Sequence, residues 1–351
     1  MPPAPEFDAG VEPSAKRARL EPAAPALQLA YLGPEGTYGE QAARRFAHRL
    51  GVDVALVPCK SIASIYAHPA PFLCMPLENT LQGTVLETVD CLLSPLATKP
   101  RTPAAYRRPL AIADTVLRID HQLVARRGVT LEQVEWVRSH EQALGQSRAF
   151  LDAYLPAARR VPWPSTAGAV ASLFDAPNEP GAALCSSAAY EKDRWRLELL
   201  YSGTQAVKDN FTRFILLTRL PDVPVVPQPH GYGFTSLFAC ADPRALVSSH
   251  AQRSNIVVAT HQRPAPANTA PEPFPRWVLA EVYERDPEQQ DIGGTLWLGT
   301  FEMENPRAAD AVNASQPQAP SPFAPSPFHS PFQSPYQSPA QTPTASHFYR
   351  I

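Results

Sequence analysis

The sequence predicts an α/β protein of two lobes followed by a small α+β unit, and three observations lead there. From Leu27 to about residue 220, short apolar runs alternate with amphipathic segments, the pattern of βα units on a mostly parallel sheet. A second set of such units begins after Pro109, so two lobes joined by crossing segments are expected, with a cleft between them. Residues 232–301 then carry four strand-like runs, enough for a small antiparallel sheet.

The elements follow in order. "LQLAYLG" reads as a strand, "GPEGTYG" as a turn and "EQAARRFAHRL" as a helix. "VDVALVP" is a strand, "SIASIYA" a turn or two of helix, and "PFLCMPL" a strand. In "TVLETVDCLL", Val85, Val89 and Leu92 stand at helical spacing. The second set comprises "LAIADTVLRI", "HQLVARR", the strand "VEWVRS" and one helix, "HEQALGQSRAFLDAYL". Next come "STAGAVASLF", "GAALCSS" and "AAYEKDRW", before the chain returns to a strand at "FTRFILLTRL". "PDVPVVPQPHG" reads as a linker, and "GFTSLFAC", "NIVVATH", "RWVLAEVYE" and "GTLWLGTF" are the last strands. The expected division is an arm at 1–26, a catalytic unit at 27–220, a linker at 221–231, a small unit at 232–305 and a tail at 306–351.

Composition narrows the class. Of 351 residues, 44% are apolar, enough for sizeable cores, and the formal net charge is −2, which suits neither a nucleic-acid partner nor an anionic membrane. Many of the 41 prolines crowd the two ends, which read as disordered because they lack periodic apolar residues. No apolar run reaches the ~18 residues of a membrane span, and no secretory signal stands at the start. Cys59, Cys74, Cys91, Cys185 and Cys240 show no C-x-x-C spacing, so they read as small buried hydrophobes in a reducing compartment. A cytoplasmic protein is expected.

Polar residues gather where strands end. In "GPEGTYG" (33–39), Thr37 stands near a helix N-cap and the backbone N–H groups could hold an anion; a plain strand-to-helix turn explains the stretch equally well. "PLENTLQGTV" (76–85) sets Glu78 and Asn79 at a strand's carboxyl edge, with Thr84 available as a cap. In "SHEQALGQS" (139–147), Ser139 caps a helix and Gln146 lies two turns on, while His140 by itself reads as structural. "PSTAGA" (164–169) is a fourth such entry. At "TRF" (212–214), Arg213 either faces solvent on the alternate side of the strand or serves the site. Neither a catalytic triad order, a metal-ligand cluster, a dinucleotide fingerprint nor a phosphate loop occurs, so no metal or cofactor is expected. A small anionic organic ligand fits such a cleft.

These stretches resemble the prephenate dehydratase family: "GPEGTY", "PLENTLQG", "SHEQALGQ", the Ser-Thr at 165–166 and "TRF" occur in the family's order over about residues 27–220. The resemblance implies a two-lobed fold like the type II periplasmic binding proteins. It also implies conversion of prephenate to phenylpyruvate, water and carbon dioxide in phenylalanine biosynthesis. Thr212 matches the family's catalytic threonine, and Glu78, Asn79, Thr80, Ser139 and Gln146 match residues lining its site. Thr37 and Arg213 are added as substrate-binding candidates. Gly39 stands where Ser or Thr is common, and Ser147 where Cys is common. The family usually carries an ACT domain that binds phenylalanine. Here "RALV" (244–247) and "HQRP" (261–264) are the nearest stretches, with Arg244 for Gly and His261-Gln262 for Glu-Ser. The unit at 232–305 is therefore expected to be a degenerate ACT-like, ferredoxin-like domain, with Ala245, Leu246, Val247 and Arg263 as regulatory candidates and a homodimer as the candidate assembly. Two alternatives remain open on sequence: the same chemistry on arogenate, and a non-catalytic ligand sensor or interaction protein on this fold.

Overall fold

The structure is a computed structural model that describes residues 27–94, 108–228, 231–241, 256–264, 276–284 and 295–304. The first lobe is built from β1 (Leu27–Leu32), α1 (Tyr38–Leu50), β2 (Val54–Cys59), α2 (Ile62–Ala67), β3 (Phe72–Asn79), the short β4 (Gly83–Thr84), α3 (Leu86–Leu93) and β5 (Leu110–Arg118). The second lobe follows with β6 (Gln122–Arg126), β7 (Trp136–Ser139), α4 (Glu141–Gln146), α5 (Arg148–Tyr154), β8 (Arg159–Pro162), α6 (Thr166–Ser172), β9 (Gly181–Cys185), α7 (Ser187–Asp193) and β10 (Leu197–Ser202). The chain then returns to the first lobe as β11 (Phe211–Thr218).

The two lobe sheets repeat one plan. The first has the order β2-β1-β3-β11-β5 and the second β8-β7-β9-β6-β10. In each, the strand arriving from the other lobe, β11 or β6, runs antiparallel between neighbours that are parallel to one another. Two segments cross between lobes, residues 119–121 and 203–210, and the backbone ties them together. Ile119 N–H donates to Asn210 O at 2.8 Å, and the N–H groups of Gly203 and Thr204 both donate to His121 O at 3.0 Å.

Local chemistry explains the elements nearest this junction. Thr37 caps α1 by accepting from Glu40 N–H, and Glu40 reaches back to Gly36 N–H. Gly51 ends the helix in the left-handed conformation. Ala42, Ala43 and Phe46 turn inward against the first sheet. At Gly39 a Cβ would fall 2.4 Å from Leu32 O, so the Ser or Thr common in the resembling family has no room here. The single helix expected over 140–155 is two, α4 and α5, broken at Ser147. There the second crossing segment bonds to the chain: Ser147 Oγ meets Thr204 Oγ1 at 2.8 Å and Ala206 N–H donates to Gln146 O. Thr84 does not cap α3, whose N-cap is Val85 without a side-chain bond.

The last four strands are β12 (Gly231–Cys240), β13 (Ile256–Pro264), β14 (Arg276–Glu284) and β15 (Thr295–Glu304), in the antiparallel order β13-β14-β12-β15 of a ferredoxin-like sheet. The connections at 242–255 and 285–294 lie outside the described residues, as do the expected arm and tail. Period-2 alternation divides this sheet into two apolar faces. Leu237, Ala239, Leu279, Leu298, Phe301 and Met303 join a single core with Leu77, Val89, Leu92, Leu93 and Ile215 of the first lobe. Phe238, Cys240, Val278, Ala280 and Val282 form the opposite cluster. The C-terminal sheet thus completes the core of the first lobe. Strand β15 crosses β5 so closely that a Cβ on Gly299 would lie 2.2 Å from Ala111 O. None of the five cysteines forms a disulfide, and every one but Cys91 is buried. No described helix is long and apolar enough to cross a membrane.

Candidate active site

Strands β3 and β11 are antiparallel neighbours, and their register sets Asn79 directly across from Thr212. The Asn79 Oδ1 accepts from the N–H groups of Leu81 at 3.0 Å and Gln82 at 3.1 Å. Only an oxygen can accept both, so the amide orientation is fixed and Nδ2 must face β11. Nδ2 donates to Thr212 Oγ1 and Asn210 Oδ1, each at 2.9 Å, and to Phe211 O at 3.0 Å. Because Thr212 Oγ1 is an acceptor in this bond, its own proton remains for another partner. Thr212 is half-buried while Asn79 and Asn210 are buried, so the pair stands at the edge of a dry region.

The second lobe reaches the same point through Gln146 at the end of α4. Its Oε1 lies 2.7 Å from His121 Nε2 and 3.3 Å from Asn210 Nδ2. Since Oε1 can only accept, His121 carries its proton on Nε2. Burial lowers the His121 pKa below 6.5, against the opposing influence of Gln146 and Asp120, so the imidazole is neutral. Two buried atoms then lack a partner among the described residues, the acceptor His121 Nδ1 and the donor Gln146 Nε2. Gln205 holds the first crossing segment from both sides, accepting from His121 N–H and donating to Asp120 Oδ1. Tyr38 adds a bond from its hydroxyl to Asp120 O. Eight polar side chains from both lobes and the segments between them therefore meet here.

The lobes also touch at the first turn. Ser186 Oγ donates to Gly36 O at 2.7 Å, and Lys192 pairs with Glu35. A cleft of about 660 Å³ opens beside these contacts, lined in part by Pro34, Gly36, Ser165 and Lys192. Neither Asn79 nor Thr212 lines it. No group of three potential metal ligands occurs among the described residues.

Comparison with known proteins decides the family. The family model described as prephenate dehydratase matches residues 29–222. A prephenate dehydratase of Amycolatopsis methanolica is 30% identical over 292 residues, covering 82% of this chain and 83% of the relative. The chain belongs to the prephenate dehydratase family. A crystal structure of a prephenate dehydratase from Arthrobacter aurescens in complex with L-Phe shares the fold, with a TM-score of 0.60 at 23% identity over 82% of this chain and 96% of that one. A protein described as a novel type of quorum quenching acylase has the same TM-score at 21% identity, over 80% of this chain and 99% of that one. One architecture thus serves different reactions, and the residues must carry the argument.

The family motifs place their residues unevenly. Asn79, Gln146 and Thr212 meet at the junction. Ser139 does not cap α4 as expected: it is fully buried and donates to Leu184 O at 2.7 Å, and the N-cap is His140. The Thr37 hydroxyl donates to backbone carbonyls of its own turn, at Leu32 and Pro34. Thr80 bridges to the second crossing segment, accepting from Phe211 N–H and donating to Asp209 O. Glu78 is half-buried and opposes Arg213 in the register. Arg213 neither faces solvent nor points into the junction. Its Nε bonds Asp114 Oδ2 at 2.8 Å and its Nη1 bonds Glu281 Oε2 at 2.7 Å, so both bonds neutralise buried carboxylates. Burial raises Asp114, whereas for Glu281 burial is outweighed by Arg213 and His261, which hold it well below the usual carboxylate range. Of the regulatory candidates, Arg263 grips Asp90 of α3 through two bonds, and Ala245, Leu246 and Val247 lie outside the described residues.

His121, Asn210 and Gln205 were not singled out by sequence reasoning. The first opens the run "HQLVARR", which carries no motif, and the others sit in an aperiodic stretch. Their shared signal is position, since each lies on a segment linking the two lobes.

Proposed function

We propose that this chain converts prephenate to phenylpyruvate, water and carbon dioxide, with Asn79 and Thr212 as the catalytic pair. The bond from the ring to its carboxylate breaks, and the electron pair enters the ring as carbon dioxide departs. The ring becomes aromatic as the carbon–oxygen bond at the opposite position breaks, and the departing hydroxide takes up a proton to become water. Aromatisation drives the reaction, so the protein's task is to help a poor leaving group depart.

The observation carrying this reading is the direction of the Asn79–Thr212 bond. Asn79 donates, which leaves the Thr212 proton for the departing oxygen and stabilises the negative charge that grows on Oγ1 as that proton is shared. The unpaired Gln146 Nε2 supplies a second buried donor suited to a carboxylate oxygen. His121, neutral and donating to Gln146, holds that amide in place. Glu78 remains a candidate for substrate contact. Thr37, Thr80 and Ser139 act by fixing the backbone around the site. Five cysteines outside any disulfide support a cytoplasmic setting, and a homodimer remains the candidate assembly.

The test is turnover by the purified full chain. Prephenate should yield phenylpyruvate with no added metal or nucleotide, and arogenate, offered in competition, should be the poorer substrate. Absence of phenylpyruvate from folded protein would overturn the reading, and faster turnover of arogenate would reassign the substrate.

A further inference from the structure

Glu281, on β14 of the C-terminal sheet, is 1% exposed and makes two side-chain contacts. Oε2 receives Arg213 Nη1 at 2.7 Å, and Oε1 lies 3.4 Å from His261 Nε2, whose other ring nitrogen meets Thr84 Oγ1 at 2.8 Å. The two arms end at corresponding places. Arg213 is the residue after Thr212 on β11. Thr84 belongs to β4, which pairs with the end of β3 so that Gly83 opposes Asn79 and Thr84 opposes Glu78. One buried carboxylate thus holds both strand ends of the catalytic pair.

The backbone gives these arms something to do. The ladder between β11 and β3 slips between Arg213 and Phe214, so the apolar register of the strand body does not by itself orient Thr212. Bulges of this kind re-aim side chains beside active sites. Stability alone does not account for the arrangement, because a buried ion pair is commonly no more stabilising than well-packed apolar side chains of similar volume.

We propose that Glu281 is a positioning residue for the reaction, acting from the C-terminal sheet through Arg213 and through His261–Thr84 to set the Asn79–Thr212 geometry. This rests on the catalytic reading above and deepens it. The C-terminal sheet then contributes to catalysis in the protein without ligand, through a bridge distinct from the Arg263–Asp90 contact.

The experiment uses the full chain carrying Glu281→Gln, which keeps the shape and removes the charge. The expected result is a kcat about 10- to 100-fold lower, the loss that a small misplacement of a reacting group brings, with KM for prephenate nearly unchanged. Asp90→Asn weakens a different bridge between the same parts and should leave kcat as it was. Combined with Thr212→Val, which has no hydroxyl to position, Glu281→Gln should lower the residual rate no further. Should Glu281→Gln lose its melting transition, His261→Gln carries the test on one arm, with the Arg213 pair intact and a smaller fall in kcat expected. A folded Glu281→Gln with wild-type kcat overturns the proposal, as does an equal loss in the Thr212→Val background. If His261→Gln is the variant read, an unchanged kcat overturns it too. Thr212→Val at wild-type rate would instead sink the catalytic reading itself, so the two failures are distinguishable.

Discussion

Replacing Thr212 by Val deletes one hydroxyl and keeps the β-branched shape, so it separates chemistry from packing. The structure indicates how little the fold should notice. Asn79 Nδ2 loses one acceptor but keeps Asn210 Oδ1 at 2.9 Å and Phe211 O at 3.0 Å, enough for both of its hydrogens. No buried donor is orphaned, and the stability change should stay within about 1 kcal/mol, the usual net worth of one hydrogen bond. The transition state loses its donor to the departing hydroxide. Removing one such group costs about 3–4 kcal/mol, or roughly two to three decades in kcat. Thr212→Ser, which retains the hydroxyl, should keep a substantial part of the rate. The assay is phenylpyruvate formation at saturating prephenate, beside a thermal melt of each variant. A Val variant that melts normally and turns over within a few-fold of wild type would refute the reasoning, because the other hydroxyls described at the junction, those of Tyr38, Thr80, Ser147 and Thr204, are engaged with partners.

Further expectations follow from neighbouring groups. Asn79→Asp keeps the acceptors for Leu81 and Gln82 N–H but replaces the donor to Thr212, so circular dichroism should be preserved while kcat falls by about 10²-fold; equal losses of fold and rate would assign Asn79 a structural role. His121 has a folded pKa depressed below its unfolded value, so protons favour the unfolded chain. Its contribution to stability is complete above about pH 6.5 and is lost as pH falls toward the depressed value, and His121→Asn should flatten denaturant-measured stability across that acid window. An undiminished slope in the variant would exclude this histidine as the source. L-Phenylalanine should bind weakly in calorimetry and inhibit little, because His261, which stands where the resembling family has Glu, and the candidate Arg263 are engaged with Thr84 and Asp90 of the first lobe; tight binding with strong inhibition would contradict that.

The fold was legible wherever burial imposes a period. Alternating apolar runs predicted most strands of both lobes and all four C-terminal strands, because a half-buried strand or helix must repeat with its own geometry; the short β4 and β8, and β10 at the edge of its sheet, were missed. The crossing segments have no such period, and through them residues as far apart as Asn79 and Asn210 are brought into contact. The broken helix at Ser147 belongs with these, since the residue at the break bonds Thr204 in the second crossing segment.

Within the site, what could be read depended on how many hydrogen bonds each side chain can make. A Ser or Thr hydroxyl has one proton, and it is spent once a nearby carbonyl takes it, as Leu184 O does for Ser139 and Asp209 O for Thr80. A sequence displays the hydroxyl at the strand end but not that carbonyl, so four hydroxyls looked alike. A carboxamide has two donor hydrogens and an acceptor oxygen, so it can be anchored to its surroundings and still offer a group outward. Asn79 and Gln146 are of this kind: one is anchored by two backbone N–H groups, the other by His121, and each keeps donors for the junction. Thr212 is the hydroxyl that escapes the general fate, because it meets a donor instead of a carbonyl. Arg213 illustrates the converse. Its partners lie 99 and 68 residues away in sequence, on β5 and β14, and no local pattern distinguishes a cation that will meet two buried carboxylates from one that will meet a substrate. A motif can therefore nominate the residues of this cleft, but which of them remain available for chemistry is decided by the partners that folding brings to each proton.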